Sequence, residues 1–275
     1  MSPSTPSPAW DRLVSEFTKR PDESLVVAFS GGLDSSVLLD AAVAALGRDR
    51  VVAFTAVSPS LSLADLEDVR RIAAELNVKL HEEPTFELDD PQYVANQGDR
   101  CYFCKRELFS VIGRVKETMG ITRVAYGYHR DDDADFRPGL KAALEAGALR
   151  PLYEAGLGKN DLRELARFRG RSFSEKASGA CLSSRIAPGL PVTVARLGKV
   201  ETIESWLRNR GYVQFRARLD RENLVRIETS PVEIGRLDGE LADEGVRAEL
   251  LALARSVDLE RVALDLTGYR RAGEA

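Results

Sequence analysis

Ser30-Gly31-Gly32-Leu33-Asp34-Ser35, with Ser36 behind it, is the stretch on which the reading of this chain turns. Ahead of it, Leu25-Val26-Val27-Ala28-Phe29 is a short, continuously apolar run of the kind that forms a buried strand. Behind it, Val37 to Leu46 reads as a helix that Gly47 closes. A strand therefore runs into a glycine–serine turn, and the turn opens a helix. That arrangement aims backbone N–H groups, serine hydroxyls and the positive end of a helix dipole at one spot, where phosphate binds well. Gly31 and Gly32 let the backbone approach a ligand that a Cβ would block. A plain strand–helix connection also uses flexible residues, and two glycines alone do not separate the readings. The whole string in this context favours phosphate. No Gly-Lys-Ser/Thr follows, so it is not a Walker loop, and it lacks the Gly-x-Gly-x-x-Gly of the usual dinucleotide fold.

The string resembles the PP-loop of ATP pyrophosphatases, which split ATP into AMP and pyrophosphate and adenylate a substrate oxygen. The resemblance implies that Ser30, Gly31, Gly32, Leu33, Asp34 and Ser35 hold the departing pyrophosphate. Ser36, Thr55 and Gly127 join them in the candidate nucleotide-binding set.

The neighbouring segments suit such a fold. Trp10 to Arg20 has helical spacing, through Trp10, Leu13, Val14 and Phe17. Val51 to Val57 is a second strand, Ala64 to Asn77 a helix, and Val78 to His81 a third strand. Such a β-α-β-α-β run implies a parallel sheet with right-handed crossovers and a ligand at the carboxyl ends of its strands. Asp90 to Gly98 is polar and turn-like, Cys101 to Met119 a helix, and Arg123 to Gly127 a fourth strand. The acidic loop Tyr128 to Asp135 reads as solvated surface or as part of a site. Leu149 to Tyr153 is a candidate fifth strand, and Asn160 to Arg169 a helix. Ile186 to Pro191, with two prolines and a glycine, suits a linker. After it come a helix (Thr193 to Asn209), a hairpin (Tyr212 to Leu219 and Leu224 to Glu228), one or two helices (Pro231 to Ala254) and a strand (Arg261 to Leu266). The expected organisation is a lead-in and helix over 1–22, an α/β parallel-sheet PP-loop domain over 23–187, and a smaller α+β substrate or oligomerisation domain over 188–275.

Composition narrows the function. The 275 residues are 44% hydrophobic and 30% charged, ordinary for a soluble globular protein of two domains. A net charge of −4 supplies no bulk attraction to nucleic acid or membrane. No apolar stretch approaches the ~18–20 residues of a membrane span. Met1 to Pro8 lacks the basic and apolar regions of a signal peptide, so a cytoplasmic setting is expected.

Three cysteines, Cys101, Cys104 and Cys181, are too few and odd in number for a disulfide framework and point to metal or sulfur chemistry. Cys101 and Cys104 share one face at the positive end of a helix. A lone C-x-x-C fits a redox pair, half a zinc site or part of an iron–sulfur site. His81 or His129 could complete a Cys3His zinc site. Three thiols could instead hold three irons of a 4Fe–4S cube and leave the fourth open. Inert burial is the ordinary fate of a single thiol such as Cys181.

Arg100-Cys101-Tyr102-Phe103-Cys104-Lys105, Asp135-Phe136-Arg137-Pro138-Gly139-Leu140 and Ala180-Cys181-Leu182-Ser183-Ser184-Arg185 resemble the LarE family, and the likeness runs from about Leu25 to Arg270. These are ATP-dependent sulfur transferases that help build a nickel-pincer nucleotide. The resemblance implies that a carboxylate of a pyridinium-3,5-dicarboxylate mononucleotide is adenylated and that sulfur then displaces AMP. It implies ATP and Mg2+, with Asp34 the candidate ligand for the metal. It also implies a small-molecule nucleotide substrate, a sulfide or cysteine-derived sulfur donor, and a homo-oligomer without nucleic acid or membrane partners. Two sulfur sources occur in the family: a sacrificial cysteine at the position of Cys181, and a 4Fe–4S cluster on three cysteines. Cys101, Cys104 and Cys181 match the cluster version. Ser184 and Arg185, beside Cys181, are expected to position the substrate.

In the second domain Arg216 and Arg218 lie on one face of a strand, and Arg226 and Glu228 alternate on its partner. Paired guanidiniums suit a phosphate or carboxylate. They also suit a solvent-facing strand, and the family likeness favours the substrate phosphate. The chain departs from the family at Gly127-Tyr128-His129-Arg130-Asp131-Asp132, where relatives commonly carry Gly-Thr-Asn-Ala-Asp-Asp. It departs again at Lys176-Ala177-Ser178-Gly179, where many have a proline after the lysine. A tRNA thiolase or amide-forming ligase on the same loop, and a nucleotide-binding regulator without chemistry, are the rival readings. A Ser-His-Asp hydrolase is set aside for want of a G-x-S-x-G elbow.

Overall fold

In the computed structural model, which describes residues 7–19, 23–134, 138–176, 179 and 181–269, the apolar run before the loop is strand β1 (Leu25–Ala28). The other strands are β2 (Val51–Val57), β3 (Lys79–Pro84), β4 (Arg123–Tyr126), β5 (Phe215–Leu219), β6 (Leu224–Thr229) and β7 (Arg261–Leu264). In chain order the helices are α1 (Pro8–Thr18), α2 (Leu33–Leu46), α3 (Leu63–Glu75), α4 (Pro91–Val94), α5 (Arg100–Met119), α6 (Pro138–Glu145), α7 (Pro151–Glu154), α8 (Lys159–Phe168), α9 (Val194–Asn209), α10 (Pro231–Ala242) and α11 (Glu244–Ser256). They fall into two units. One takes the described residues of Met1–Ser58, Leu63–Glu87 and Asp99–Gly179, the other those of Pro59–Ser62, Leu88–Gly98 and Ala180–Ala275. The second unit thus draws two short excursions out of the 23–187 span that the sequence reads as continuous, and it also takes the described residues at the end of that span, 180–187, with the Cys181 turn.

The first unit is built on a parallel sheet of order β3-β2-β1-β4. Period-two alternation sends Leu25 and Val27 of β1 into a core with Leu13, Phe17, Val37, Leu38, Leu162 and Leu165, from α1, α2 and α8. Val26 and Ala28 face the opposite core, with Phe109, Val111, Ile112 and Val115 of α5. Helices therefore cover both faces, which is why β1 reads as an unbroken apolar run. Each fully buried Leu, Val or Phe contributes about 1.5–3 kcal/mol to that packing.

The chain leaves β1 toward β2 and β3 on one side, and β4 lies on the other, so strand order reverses between β1 and β4. The crevice at the carboxyl ends of these two strands is the binding position of such sheets. The glycine–serine turn follows β1, and Gly127 follows β4. Leu149 to Tyr153 is not a fifth strand: Leu149 makes a single parallel bridge to Ala125, and Pro151 then opens α7. A proline has no N–H to give a sheet, and its fixed φ suits the first turn of a helix.

In the second unit β5 and β6 are antiparallel, and β7 joins β6 in parallel. The register sets Arg216 opposite Glu228 and Arg218 opposite Arg226. Buried Ser60, Tyr93 and Ser183 close a ring of hydroxyls, with Oγ–Oγ 2.8 Å between the serines and Oη to the serines at 2.8 and 2.6 Å. Asn96 donates its side-chain amide to the carbonyls of Ala187 at 2.9 Å and Leu190 at 3.0 Å. These bonds explain why the two excursions belong to this unit. Among the described residues no helix is long and apolar enough to cross a membrane.

Candidate active site

The cradle in the first unit is shaped by two closely packed glycines, Gly31 and Gly127. Gly31 has φ +67°, and a Cβ there would sit 2.9 Å from Val69 Cγ2. A Cβ on Gly127 would lie 3.0 Å from the Ser35 nitrogen, so the β4 turn packs directly on the loop. Gly32 caps α2 without any side-chain bond, which leaves the first N–H groups of that helix for a ligand. Ser35 Oγ donates to the Gly32 carbonyl at 3.1 Å and accepts from Ser30 N at 3.2 Å, fixing the turn. Ser36 Oγ is fully buried and has no protein partner among the described residues. Thr55 spends its hydroxyl on the Phe29 carbonyl, at 2.7 Å, and so braces the end of β1.

Charge gathers at Asp34. Its Oδ1 receives Lys159 Nζ at 2.6 Å, and His129 Nε2 lies 3.8 Å from Oδ2. His129 is itself 3.5 Å from Asp132 Oδ1 and buried, with Nδ1 unbonded among the described residues. Tyr128 donates to Asp133 Oδ1 at 2.7 Å, and burial followed by that carboxylate pushes its hydroxyl up to about 12. The acidic loop is thus mixed: Tyr128, His129 and Asp132 are buried while Arg130, Asp131 and Asp133 are exposed, with a 3-10 turn over Arg130–Ala134.

Cys101 is exposed and Cys104 half-buried on the first turn of α5, and no disulfide joins the cysteines. A Cβ on Gly139 of α6 would lie 3.2 Å from the Cys101 carbonyl. Of the second family-like string, Asp135, Phe136 and Arg137 lie outside the described residues, as do Ala177, Ser178, Ala180 and Arg270. Among the described residues no three His, Cys, Asp or Glu side chains are arranged to hold a metal. The Cys3His zinc reading has no such group behind it, and His81 instead bonds Glu83 at 3.0 Å.

In the second unit Cys181 is exposed and heads the 3-10 turn Leu182–Arg185. Its carbonyl accepts from Ser184 N at 3.0 Å, Ser184 Oγ at 2.8 Å and Arg185 Nη1 at 3.3 Å, which locks the turn. Arg185 and Glu204 form a buried ion pair at 2.8 Å, and Glu204 also accepts from Ala217 N at 3.1 Å. Arg218 reaches the Ser184 carbonyl at 3.4 Å and Glu228 Oε1 at 2.6 Å. Arg226 contacts Glu228, Asp220 and Asp265 and is surrounded by carboxylates. Arg216 differs: it bonds Tyr269 Oη at 2.9 Å and stacks on that ring at 4.6 Å. Burial, then the nearby Arg185 and Arg218 guanidiniums, push Arg216 below its ordinary value. A buried guanidinium beside two others, facing a phenol rather than a carboxylate, invites an anion.

Comparison with known proteins fixes the ancestry. Residues 9–99, which hold the loop, match the NAD synthase family model. The chain is 32% identical to the pyridinium-3,5-bisthiocarboxylic acid mononucleotide synthase of Lactiplantibacillus plantarum, over 90% of this chain and 87% of that protein. The chain belongs to the LarE family. The chain is also 36% identical to an uncharacterized protein of Synechocystis, over 89% of each chain. An uncharacterized protein of Methanocaldococcus jannaschii is 27% identical over 90% of this chain and 92% of its own. The α/β parallel-sheet PP-loop fold expected for the first domain is the one found.

Sequence reasoning passed over Lys159, Glu204 and Tyr93. A signal existed for two of them. Glu204 stands on the apolar stripe of α9 with Val200, Ile203 and Leu207, where a lone carboxylate implies a buried partner. Lys159 stands in the first turn of a helix, where the dipole disfavours a cation.

Proposed function

We propose that this LarE-family chain is an ATP-dependent sulfur transferase that converts carboxylates of a pyridinium-3,5-dicarboxylate mononucleotide into thiocarboxylates. In the first step a carboxylate oxygen bonds to the α-phosphorus of ATP and the bond to the bridging oxygen breaks. Pyrophosphate leaves into the cradle of Ser30 to Ser36, whose open helix N-terminus and unbonded Ser36 hydroxyl suit it. In the second step sulfur bonds to the acyl carbon and AMP departs. Adenylation is needed because a bare carboxylate would have to expel oxide. Mg2+ accompanies ATP, and Asp34 is the loop carboxylate that would hold it.

The observation that carries this reading lies in the second unit. The turn bearing Cys181, Ser184 and Arg185 is continuous with the guanidinium cluster, through Arg218 on the Ser184 carbonyl at 3.4 Å. A sulfur-bearing residue therefore adjoins a place for the substrate's phosphate, with Arg216 and Arg218 as its clasp and Arg226 and Glu228 bracing them. Cys101, Cys104 and Cys181, exposed or half-buried and not in disulfides, would be the ligands of a 4Fe–4S cluster. When bound, that cluster supplies a sulfide on its open iron. A second reading has Cys181 surrender its own sulfur, favoured by an exposed thiol at the head of a locked turn.

Pyrophosphate release should depend on the dicarboxylate mononucleotide; release that never occurs with it sinks the reading. Anaerobically reconstituted protein should carry iron and acid-labile sulfide, both reduced in Cys104→Ala. Protein without iron would overturn the cluster, and dehydroalanine at position 181 after turnover would select the sacrificial source.

A further inference from the structure

Arg216 is held unlike the guanidiniums around it. Arg185 pairs with Glu204, Arg218 with Glu228, and Arg226 with Glu228, Asp220 and Asp265. Glu228 stands directly across the hairpin from Arg216, yet it gives its Oε1 to Arg218 and Arg226 instead. The buried Arg216 has Tyr269: its Nη2 donates to Oη at 2.9 Å, and its guanidinium carbon lies 4.6 Å from the ring centroid.

The chain after β7 is shaped to bring that ring there. Asp265 N donates to the Ile227 carbonyl at 2.8 Å, and Asp265 Oδ1 accepts from Thr267 N at 2.8 Å, which tightens the turn. Gly268 has φ +75°, and a Cβ there would lie 3.0 Å from both Ile234 Cδ1 and the Thr229 carbonyl oxygen. Tyr269 N then donates to that same Thr229 carbonyl at 2.7 Å. Residues 265–269 thus fold back over the end of β6, and the ring lands on a β5 arginine 53 residues earlier in the chain. A phenol restrains a guanidinium twice: the π face fixes its plane, and the hydroxyl fixes its rotation within that plane. A carboxylate would restrain it as firmly but would spend its charge. Tyr269 therefore orients Arg216 and leaves the charge for a ligand.

We propose that Tyr269 is the positioning residue of the substrate-phosphate site: its ring and hydroxyl hold the Arg216 guanidinium in one orientation, without neutralising it, to meet the phosphate of the mononucleotide. This rests on the reading of Arg216 and Arg218 as the clasp of that phosphate. A ligand without a phosphate gains nothing from the arrangement, so Tyr269 sets the preference for a mononucleotide over its nucleoside.

The test is calorimetric titration of the full chain with the pyridinium dicarboxylate mononucleotide and with its dephosphorylated nucleoside, for wild type, Tyr269→Phe and Tyr269→Leu. Tyr269→Leu loses both restraints and should narrow the preference for the mononucleotide by about 10- to 100-fold. Tyr269→Phe keeps the stack and should narrow it by about 3- to 10-fold. Nucleoside affinity should stay within about two-fold in both variants. An unchanged preference in the two variants, or equal weakening of mononucleotide and nucleoside, would overturn the assignment. A wild-type chain with no preference for the mononucleotide would instead overturn the reading of the arginine clasp, and the role of Tyr269 with it.

Discussion

The two candidate anion sites of this molecule are built on opposite plans. The cradle of the first unit uses neighbouring residues, backbone N–H groups and hydroxyls, and the cation at its edge comes from a distant helix. The cluster of the second unit uses long charged side chains from the Cys181 turn, α9, β5 and β6, each braced by a carboxylate or a phenol. A backbone cradle needs little compensation, because its partial charges cost little to bury. A guanidinium cluster must be neutralised side chain by side chain, and within it Arg216 has a phenol, that of Tyr269, as its hydrogen-bond partner. Geometry can be damaged in the first site by a single methyl group. In the second, damage comes from removing one member of a charge pair.

The sharpest separation of the two sites comes from Cys181→Ser, which should abolish thiocarboxylate formation while pyrophosphate release continues. Quantifying both products would break the division of labour if both vanished together. Next is Glu204→Ala, which strands buried Arg185 and the Ala217 N–H, at a cost of about 3–5 kcal/mol in stability. Denaturant unfolding measures it, and Arg185→Met/Glu204→Leu should recover the part due to the stranded charge, while the Ala217 N–H stays without its acceptor. Arg216→Ala should raise KM for the mononucleotide by about 10- to 100-fold with little change in KM for ATP, as steady-state kinetics would report. Gly31→Ala should cost about 1–3 kcal/mol of strain at φ +67° and weaken ATP without touching mononucleotide binding. The smallest effect is expected at Val232→Ser, since that side chain is 90% exposed: less than about 0.5 kcal/mol in thermal unfolding.

Much of this was legible locally. The β1 run, the glycine–serine turn and α2 follow one another within about twenty residues, so period and turn chemistry suffice to read them. The hairpin of β5 and β6 was legible for the same reason, and with it the shared face of Arg216 and Arg218. Leu149 to Tyr153 misled, because its apolar residues fit a strand while Pro151 selected a helix. The two excursions at Pro59–Ser62 and Leu88–Gly98 were not legible at all. What ties them to the second unit is the hydroxyl ring of Ser60, Tyr93 and Ser183, whose members are 33 and 90 residues apart.

The sequence alone determined that a glycine–serine turn follows a buried strand, that three cysteines stand in family-like strings, and that two arginines share a strand face. These depend on spacing along the chain, which a sequence states directly. Only the tertiary structure decided that Lys159 meets Asp34 across 125 residues, and that Glu204 neutralises Arg185 while Arg216 keeps a phenol for a partner. Charge pairing is a short-range effect in space and has no fixed spacing in sequence, so it becomes visible only once the chain is folded.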